Sequence, residues 1–186
     1  MILLVGLGNP TPNSQDNRHN IGFKIIDAIN HKFNLSKQKP KFKGLLTTGN
    51  ISNKKIYAIK PLTFMNNSGI CVRELMEYFR IDVKNIFVFH DDLDIDFGKI
   101  KAKLGGSSAG HNGIASIDKF IGKEYSRVRF GIGKPETKIS ASDYVLNNFN
   151  DEEKIQLEDI ITSIIDSMPI LIDKKLDLFS STINNK

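Results

Sequence analysis

Short apolar runs alternate along this chain with segments of helical periodicity. The continuous apolar runs at 2–7 and 85–90 are typical of strands buried on both faces of a sheet. Apolar residues at helical spacing predict helices in four segments: 20–33, one ending near 79, a short one ending near 121, and one from about 151 onwards. Alternating patterns predict a hairpin and two further strands, the last of them half-exposed: 44–51 with 54–60, 98–103, and 126–132.

Strands interleaved with helices predict an α/β fold, namely a single globular domain over 1–186 whose mixed twisted β-sheet is flanked by helices on both faces. The length of 186 residues fits one domain. Local signals predict where elements end. Asn17 is expected to cap the first helix, Pro169 to break or kink the last one, and 180–186 to fray.

The composition, 40% apolar and 25% charged, excludes collagen-like, coiled-coil and wholly disordered chains. No run approaches the roughly 18 apolar residues that span a membrane, and the apolar start lacks a basic leader. Cys71 is the only cysteine, so it cannot form an internal disulfide. A soluble protein in a reducing cytoplasm is therefore expected.

The net charge of +5 is unevenly distributed. Residues 1–150 carry 22 Lys and Arg against 13 Asp and Glu, whereas 151–186 carry 4 against 8. A basic body attracts polyanions such as nucleic acid. Lysine-rich solvation of a small protein produces the same composition, so charge alone identifies no partner.

Polar clusters fall where predicted strands end, and α/β sheets bind ligands at such places. Asn9 follows the first strand, His19 lies just beyond it, and His90-Asp91-Asp92 ends the central strand. Further clusters lie at 63–67 and 110–113. These residue types predict a metal-free hydrolase, because an imidazole can deprotonate water, a carboxylate can orient the ring and side-chain amides can stabilise an oxyanion. The chain has no Gly-x-Ser-x-Gly elbow and no cysteine beside a base, so water is the expected nucleophile.

Each cluster also has a purely structural interpretation. A lone histidine near a helix start is more often structural than catalytic, 91–96 can be a solvated acidic turn, and 105–113 can be a flexible connection. The Gly6-x-Gly8 pair lacks the third glycine of a dinucleotide fingerprint, so a Rossmann cofactor site is not expected. The apolar run before Asp92-x-Asp94 imitates a metal-dependent phosphohydrolase motif, which stays an alternative.

Five blocks in sequence order carry more information than the single clusters. They read VGLGNP at 5–10 with RHNIG at 18–22, KPLTFMNNSG at 60–69, HDDLD at 90–94, LGGSSAGHNG at 104–113, and RVRFGIG at 127–133 followed by YVL at 144–146. Over roughly residues 2–149 the chain resembles the bacterial peptidyl-tRNA hydrolases. The resemblance implies a monomeric α/β enzyme without metal or cofactor. Such an enzyme hydrolyses the ester between a peptide and the 3′-terminal ribose of tRNA, and so recycles tRNA from abandoned peptides.

The resemblance also implies roles for individual residues. His19 matches the catalytic base, Asp91 the carboxylate that supports it, and Asn9 a residue of the peptide or ester region. Further contacts with the substrate or the 3′ end are expected from side chains on the surrounding loops: Ser14, Phe64, Met65, Asn66, His111 and Asn112. Basic side chains expected to contact tRNA phosphates are Lys101, Lys103 and Arg129.

Three positions depart from the family pattern. Thr11 and Asn17 stand where glycine and threonine are usual, and Ser14 lies near the place of an aromatic residue, commonly tyrosine. The change at Ser14 removes a surface on which a terminal base could stack. Since His19 and Asp91 are retained, activity is expected to persist. A non-enzymatic RNA-binding relative stays an alternative, because some members of the superfamily serve organellar RNA splicing.

Overall fold

A seven-stranded mixed sheet lies at the centre of the computed structural model, which describes residues 1–186. The strands are β1 (Ile2–Gly6), β2 (Lys39–Lys41), β3 (Gly44–Ile51), β4 (Lys54–Pro61), β5 (Ile86–Asp92), β6 (Ile100–Leu104) and β7 (Ser126–Gly131). Their order across the sheet is β2-β3-β4-β1-β5-β7-β6. The β4–β1, β1–β5 and β5–β7 pairs are parallel, and the remaining three pairs are antiparallel.

Seven helices cover this sheet: α1 (Ile21–Lys32), α2 (Ser68–Phe79), α3 (Asn112–Ile121), α4 (Ala141–Leu146), α5 (Asp151–Asp166), α6 (Met168–Ile172) and α7 (Leu176–Asn184). One hydrophobic core lies between the sheet and α1, α5, α6 and α7. A second core lies between the opposite face and the pair α2 and α3. The predicted α/β fold with helices on both faces is confirmed. None of the helices has the length and apolar character needed to cross a membrane.

The two predicted apolar runs form the central strands β1 and β5, which are buried on both faces. Leu4 and Phe89 belong to the core under α1, whereas Leu3 and Val88 belong to the core under α2 and α3. Strand β5 extends two residues beyond its predicted end. As a result, Asp91 is held by the strand ladder rather than by a loop.

Close contact between β1 and α1 depends on two glycines. A Cβ on Gly6 would clash with the backbone carbonyl of Gly22, and a Cβ on Gly22 would clash with the backbone of Leu7. Because both residues lack a side chain, the helix packs directly against the strand. This contact fixes the start of α1, and therefore His19, beside the ends of β1 and β5.

The segment before α1 differs from the prediction. A 3₁₀ turn over Arg18–Asn20 leads into α1, and the side chain of Asn17 makes no capping hydrogen bond, so the predicted cap is wrong. Asn17 is buried instead, and its backbone pairs with Asn148 in an isolated antiparallel bridge. The Arg18 N–H donates to the Asn147 carbonyl at 3.0 Å. These contacts attach the loop to the segment between α4 and α5.

The C-terminal part confirms one prediction and contradicts another. Helix α5 ends before Pro169, which lies in the first turn of α6, so the predicted break is confirmed. The predicted fraying of 180–186 is wrong, because α7 continues to Asn184. The Asn184 side chain accepts the Ile100 N–H at 2.9 Å and donates to its carbonyl at 2.8 Å. The Ser180 hydroxyl accepts the Ala102 N–H at 2.8 Å, so α7 covers the outer edge of β6.

Candidate active site

A cleft of about 870 Å³ opens at the carboxyl ends of the parallel strands. Helix α1, which follows β1, and helix α2, which precedes β5, lie on opposite faces of the sheet. Where the connections of neighbouring strands go to opposite faces, a crevice forms at the strand ends. The cleft is lined by all but one of the predicted site residues: Asn9, Ser14, His19, Phe64, Met65, Asn66, Asp91, Lys103, His111, Asn112 and Arg129. The exception is Lys101, which is exposed on β6 opposite Arg129 and does not line the cleft.

Two imidazoles share the buried carboxylate of Asp91. His19 Nδ1 lies 2.9 Å from each Asp91 oxygen, and His111 Nε2 lies 2.9 Å from Oδ1. Burial alone would raise the pKa of Asp91, but the adjacent imidazoles of His111 and His19 outweigh it and hold this pKa well below its usual range. Asp91 is therefore an ionised acceptor, and both rings must donate a proton to it.

The hydrogen bonds decide which nitrogen of each ring carries the proton. An ionised carboxylate only accepts, so His19 donates through Nδ1. In the neutral ring the lone pair then lies on Nε2, which has no partner within the protein. His111 Nδ1 accepts the N–H groups of Gly113 and Ile114 at 3.1 and 3.3 Å, so its proton lies on Nε2. His111 thus caps α3 with one nitrogen and holds Asp91 with the other.

Asn9 is held so that its amide nitrogen remains available. The Asn9 side-chain oxygen accepts the Met65 N–H at 2.9 Å. The Asn20 side chain binds both the N–H and the carbonyl of Asn9, each at 2.9 Å. The Nδ2 group of Asn9 is left without a protein partner and can donate to a ligand. Asn66 and Asn112, both exposed, offer two further side-chain amides without hydrogen bonds to the protein.

An aromatic side chain stands at the rim of the cleft in a strained backbone conformation. Phe64 has φ of 60° and ψ of 160°, a region that residues with side chains rarely adopt, yet the residue is 51% exposed. The strained backbone and the exposed aromatic side chain are both energetically unfavourable, which indicates that Phe64 is there for a reason other than folding. Ser14, by contrast, is buried and shares a hydrogen bond with the Thr11 hydroxyl. Phe64 is therefore the aromatic surface available to a stacked ligand, since the Ser14 position offers none.

The far end of the cleft, along β6 and β7, is basic. Lys103 is exposed there, and Arg129 donates through Nε to Asp92 at 2.8 Å. The prediction that β7 is half-exposed is wrong, because Arg127 is buried on it. Its guanidinium binds Asp118 at 2.8 Å and the Ser107 carbonyl at 2.6 Å. Arg127 thus connects the glycine-rich segment to α3.

His90 forms part of the buried floor. Its Nδ1 donates to the Asp91 carbonyl at 2.8 Å, and its ring meets that of His111 edge-on, with centroids 5.0 Å apart. Burial, reinforced by the His111 imidazole, lowers the pKa of His90 to about 3. His90 is therefore neutral near pH 7 and adds no charge beside Asp91.

Comparison with known proteins assigns the chain to a family. A sequence profile described as peptidyl-tRNA hydrolase matches residues 3–186. A protein named peptidyl-tRNA hydrolase from Pelagibacter ubique (strain HTCC1062) is 74% identical over 186 residues, which are 100% of each chain. This chain belongs to the peptidyl-tRNA hydrolase family.

More distant members of the peptidyl-tRNA hydrolase family share both sequence and fold. The protein of that name from Bacillus subtilis (strain 168) is 43% identical over 162 residues, covering 87% of this chain and 86% of its own length. A crystal structure of peptidyl-tRNA hydrolase from Acinetobacter baumannii matches with a TM-score of 0.91 at 33% identity, covering 99% of this chain and 94% of that one. The mixed sheet described above is thus the fold of a peptidyl-tRNA hydrolase.

The donor set of this peptidyl-tRNA hydrolase site suits a metal ion only in part. His19, Asp91 and His111 offer ligand atoms within 4.8 Å of one another, and imidazole with carboxylate suits zinc. To ligate through Nε2, however, neutral His111 must move its proton to Nδ1, where it would meet the N–H groups of Gly113 and Ile114. The three groups therefore fit a hydrogen-bonded triad better than a metal centre.

In this peptidyl-tRNA hydrolase, the Asp92-x-Asp94 segment is not arranged as the nucleophile motif of a metal-dependent phosphohydrolase. Both carboxylate oxygens of Asp92 are engaged, one by the Arg129 guanidinium and the other by the Asp94 N–H at 2.8 Å. Asp92 therefore positions Arg129, and it is not free to act as a nucleophile in this arrangement.

Sequence reasoning did not recognise two parts of this site. Helix α4 lines the cleft through Ala141, Ser142, Val145 and Leu146. The block at 144–146 covers part of this helix, but the six residues of the helix are too few for a periodic pattern and no role was expected for them. Arg18 belongs to one of the family blocks but was assigned no role of its own. Its buried guanidinium binds Glu153 at 3.0 Å and lies 4.2 Å from the centre of the Tyr144 ring. The sequence did give one hint of this contact with α4 and α5, namely that Arg18 is a charged residue directly beside His19.

Proposed function

We propose that this chain hydrolyses the ester between a peptide and the 3′-terminal ribose of tRNA, as a cytoplasmic monomer that uses neither metal nor cofactor. One observation carries the proposal. The unpartnered Nε2 of His19, fixed in its tautomer by ionised Asp91, faces a cleft with amide donors at one end and basic side chains at the other. This arrangement suits a neutral reacting bond attached to a polyanion.

His19 would act as the general base in the first step. Its Nε2 takes a proton from water while the water oxygen attacks the ester carbonyl, so that a tetrahedral oxyanion forms. Asp91 stabilises the imidazolium that results, because the carboxylate lies 2.9 Å from Nδ1. When the intermediate collapses, the bond from carbon to the ribose oxygen breaks and the Nε2 proton passes to that oxygen. The ring returns to its neutral state with no net change in protons on the enzyme.

The amide side chains would bind the substrate on the peptide side. The free Nδ2 group of Asn9 can donate to the oxyanion or to the preceding peptide carbonyl, and a single donor of this kind contributes roughly 3–4 kcal/mol in known enzymes. Asn66 and Asn112 can bind the N–H and carbonyl of a blocked amino group. An unblocked aminoacyl group would bring an ammonium that these neutral amides solvate poorly. We therefore expect selection for blocked substrates.

The decisive experiment compares N-acetyl-aminoacyl-tRNA with the same tRNA carrying an unblocked amino acid. We expect release from the blocked substrate only, at a rate that a chelator does not change. Replacing His19→Ala should reduce turnover by at least about 100-fold while tRNA binding is retained. Binding of tRNA by the wild-type chain without any release would instead identify an RNA-binding relative. Loss of activity with the chelator would contradict the metal-free mechanism.

A further inference from the structure

The cleft that contains His19 and Asp91 is here named the catalytic cleft. A second cavity of about 420 Å³ lies next to it, on the other side of Asn9. It is half open, and it lies between the loop that precedes α1, the start of α1 and the paired strands β3 and β4. Its lining includes Pro10, Phe23, Lys24, Leu45, Lys60 and Leu62. Asn9 and Thr11 line both cavities, so the two spaces adjoin along a shared wall. None of the roles assigned above uses the second cavity.

The order of strands places three regions along one line. Basic side chains lie on β6 and β7, the reacting groups at the ends of β1 and β5, and the second cavity over β3 and β4. Neighbouring strands are about 4.8 Å apart, so β7 and β3 lie roughly 10 Å to either side of β1. Peptidyl-tRNA is linear, with its ester between the tRNA and the peptide. If the tRNA occupies the basic end, a peptide that extends in the opposite direction passes over β4.

The lining of the second cavity suits a peptide. Phe23, Leu45 and Leu62 are only partly buried and provide apolar surface. Lys60 is buried, but its charge is compensated by Asp27 at 2.6 Å and by the Phe23 ring, whose centre lies 5.6 Å away. The cavity thus combines three apolar side chains with polar groups, and both of its lysines are paired with carboxylates, Lys24 with Asp16 and Lys60 with Asp27. Such a lining can bind both the main chain and the uncharged side chains of a peptide.

The shared wall is rigid. Asn20 clamps the Asn9 backbone from the side of α1, while the Met65 N–H holds the Asn9 side chain from the cleft. A peptide whose carbonyl binds Asn9 Nδ2 would therefore enter the second cavity in a defined direction. We propose that this cavity, here named the peptide cleft, binds the residues that precede the ester-linked amino acid. This inference rests on the function proposed above and specifies where the substrate's peptide lies.

The test measures kcat/KM for one tRNA carrying peptides of increasing length. Contacts remote from the reacting bond can raise kcat/KM, so the wild-type value should rise about tenfold from N-acetyl-aminoacyl-tRNA to the tripeptidyl form. Leu45→Trp and Leu62→Trp fill the peptide cleft and should abolish that rise. Their values for N-acetyl-aminoacyl-tRNA should stay within about twofold of wild type, because the residue next to the ester lies in the catalytic cleft. Leu178→Trp, at a residue 51% exposed on α7, is the matched control.

A second measurement does not depend on tryptophan being accommodated. In a His19→Ala background the ester survives, so a tRNA carrying a dipeptide with an N-terminal bromoacetyl group can be used as a probe. A thiol attacks this group, forms a thioether and releases bromide. Cys71 is buried and burial raises its pKa to about 12, so it provides only background. Gln15→Cys in the peptide cleft should react at least about tenfold faster than Ser142→Cys in the catalytic cleft.

The outcomes separate the two proposals. No release from any substrate by the wild-type chain would overturn the proposed function. Release from N-acetyl-aminoacyl-tRNA, combined with the same length dependence in the Leu45 and Leu62 variants as in wild type, would overturn the peptide cleft alone. So would a Ser142→Cys reaction as fast as that of Gln15→Cys.

Discussion

Asp91 is the residue on which the geometry of the catalytic cleft depends. It is held by the β5 ladder, and its two oxygens accept from two neighbouring imidazoles, His19 before α1 and His111 at the start of α3, helices that lie on opposite faces of the sheet. Since His111 also caps α3, the orientation of the carboxylate is coupled to the position of that helix. His19 is thus oriented by a carboxylate that is itself held by the β5 ladder and by His111 at the start of α3.

Replacing Asp91→Asn should lower kcat for N-acetyl-aminoacyl-tRNA by between about 100- and 10,000-fold. The amide carries no charge to stabilise a protonated His19, and its NH₂ group can force the ring into the opposite tautomer. Asp96→Asn, at an exposed residue outside the cleft, is the control and should be active. Equal activity of the two variants would remove Asp91 from the mechanism.

At the scale of elements, α7 and β6 are joined by side chains rather than by a strand ladder. The Asn184 amide binds the N–H and the carbonyl of Ile100, as a neighbouring strand would do. This substitution of a side chain for a strand satisfies backbone groups that the sheet leaves unpaired at its edge. The helix thereby completes the sheet without extending it.

Asn184→Ala should reduce the free energy of unfolding by about 1–3 kcal/mol, because the Ile100 N–H and carbonyl would lose their partner. Urea unfolding followed by circular dichroism measures this change. The neighbouring Asn185→Ala, at an exposed residue, should cost less than about 0.5 kcal/mol. If both variants were destabilised by the same amount, the hydrogen bonds to β6 would not be the cause.

The elements that could be predicted from sequence are those whose pattern is local. Strands β1 and β5 are apolar throughout because both of their faces are buried. Strand β2 has three exposed residues and exists only through its pairing with β3, so no periodicity announces it. The order of α7 depends on contacts between Asn184 and a residue 84 positions earlier, which local polarity does not reveal. Arg127 looked exposed for the same reason, since its partner Asp118 lies on another element.

The residues that form the site could be predicted from the sequence, but the hydrogen bonds between them could not. The resemblance identified His19, Asp91 and His111 as candidates, and all three line the cleft. That one carboxylate binds both imidazoles follows only from the fold, which brings together residues 72 and 20 positions apart. The sequence pointed to the loop that contains Asn9 and Thr11, but not to the peptide cleft beside it. The remaining lining comes from α1, β3, β4 and the residue Leu62, which are ordinary in their own segments.

For the whole molecule, the basic side chains of β6 and the acidic C-terminal part of the sequence lie on different faces of the sheet. The unpaired Lys101 and the cleft residue Lys103 project from neighbouring positions on one face of β6, beside Arg129 on β7. The acidic segment forms α5 to α7, and these helices pack on the opposite face of the sheet. The carboxylates of α5 to α7 therefore lie away from a polyanion that approaches the basic end of the cleft.

Lys103→Ala and Lys101→Ala should each weaken tRNA binding and flatten the slope of log K against log salt, by about 0.9 for each phosphate that is no longer neutralised. The effect should be similar for different tRNAs, because binding to the phosphate backbone carries no sequence information. Lys32→Ala, at an exposed lysine in the last turn of α1, is the control and should leave the slope unchanged. Weaker binding confined to a single tRNA would contradict recognition of the backbone.

The two edges of the sheet bear on how the protein behaves at high concentration. Exposed edge strands are templates for aggregation, since their free N–H and carbonyl groups pair with any other extended chain. The edge strand β6 is covered by α7. The other edge strand, β2, is exposed and has the sequence Lys39-Pro40-Lys41. Proline offers no N–H there, and the lysines of a second copy would repel those of the first. We expect the chain to remain dispersed when crowded, even though its sheet never closes on itself.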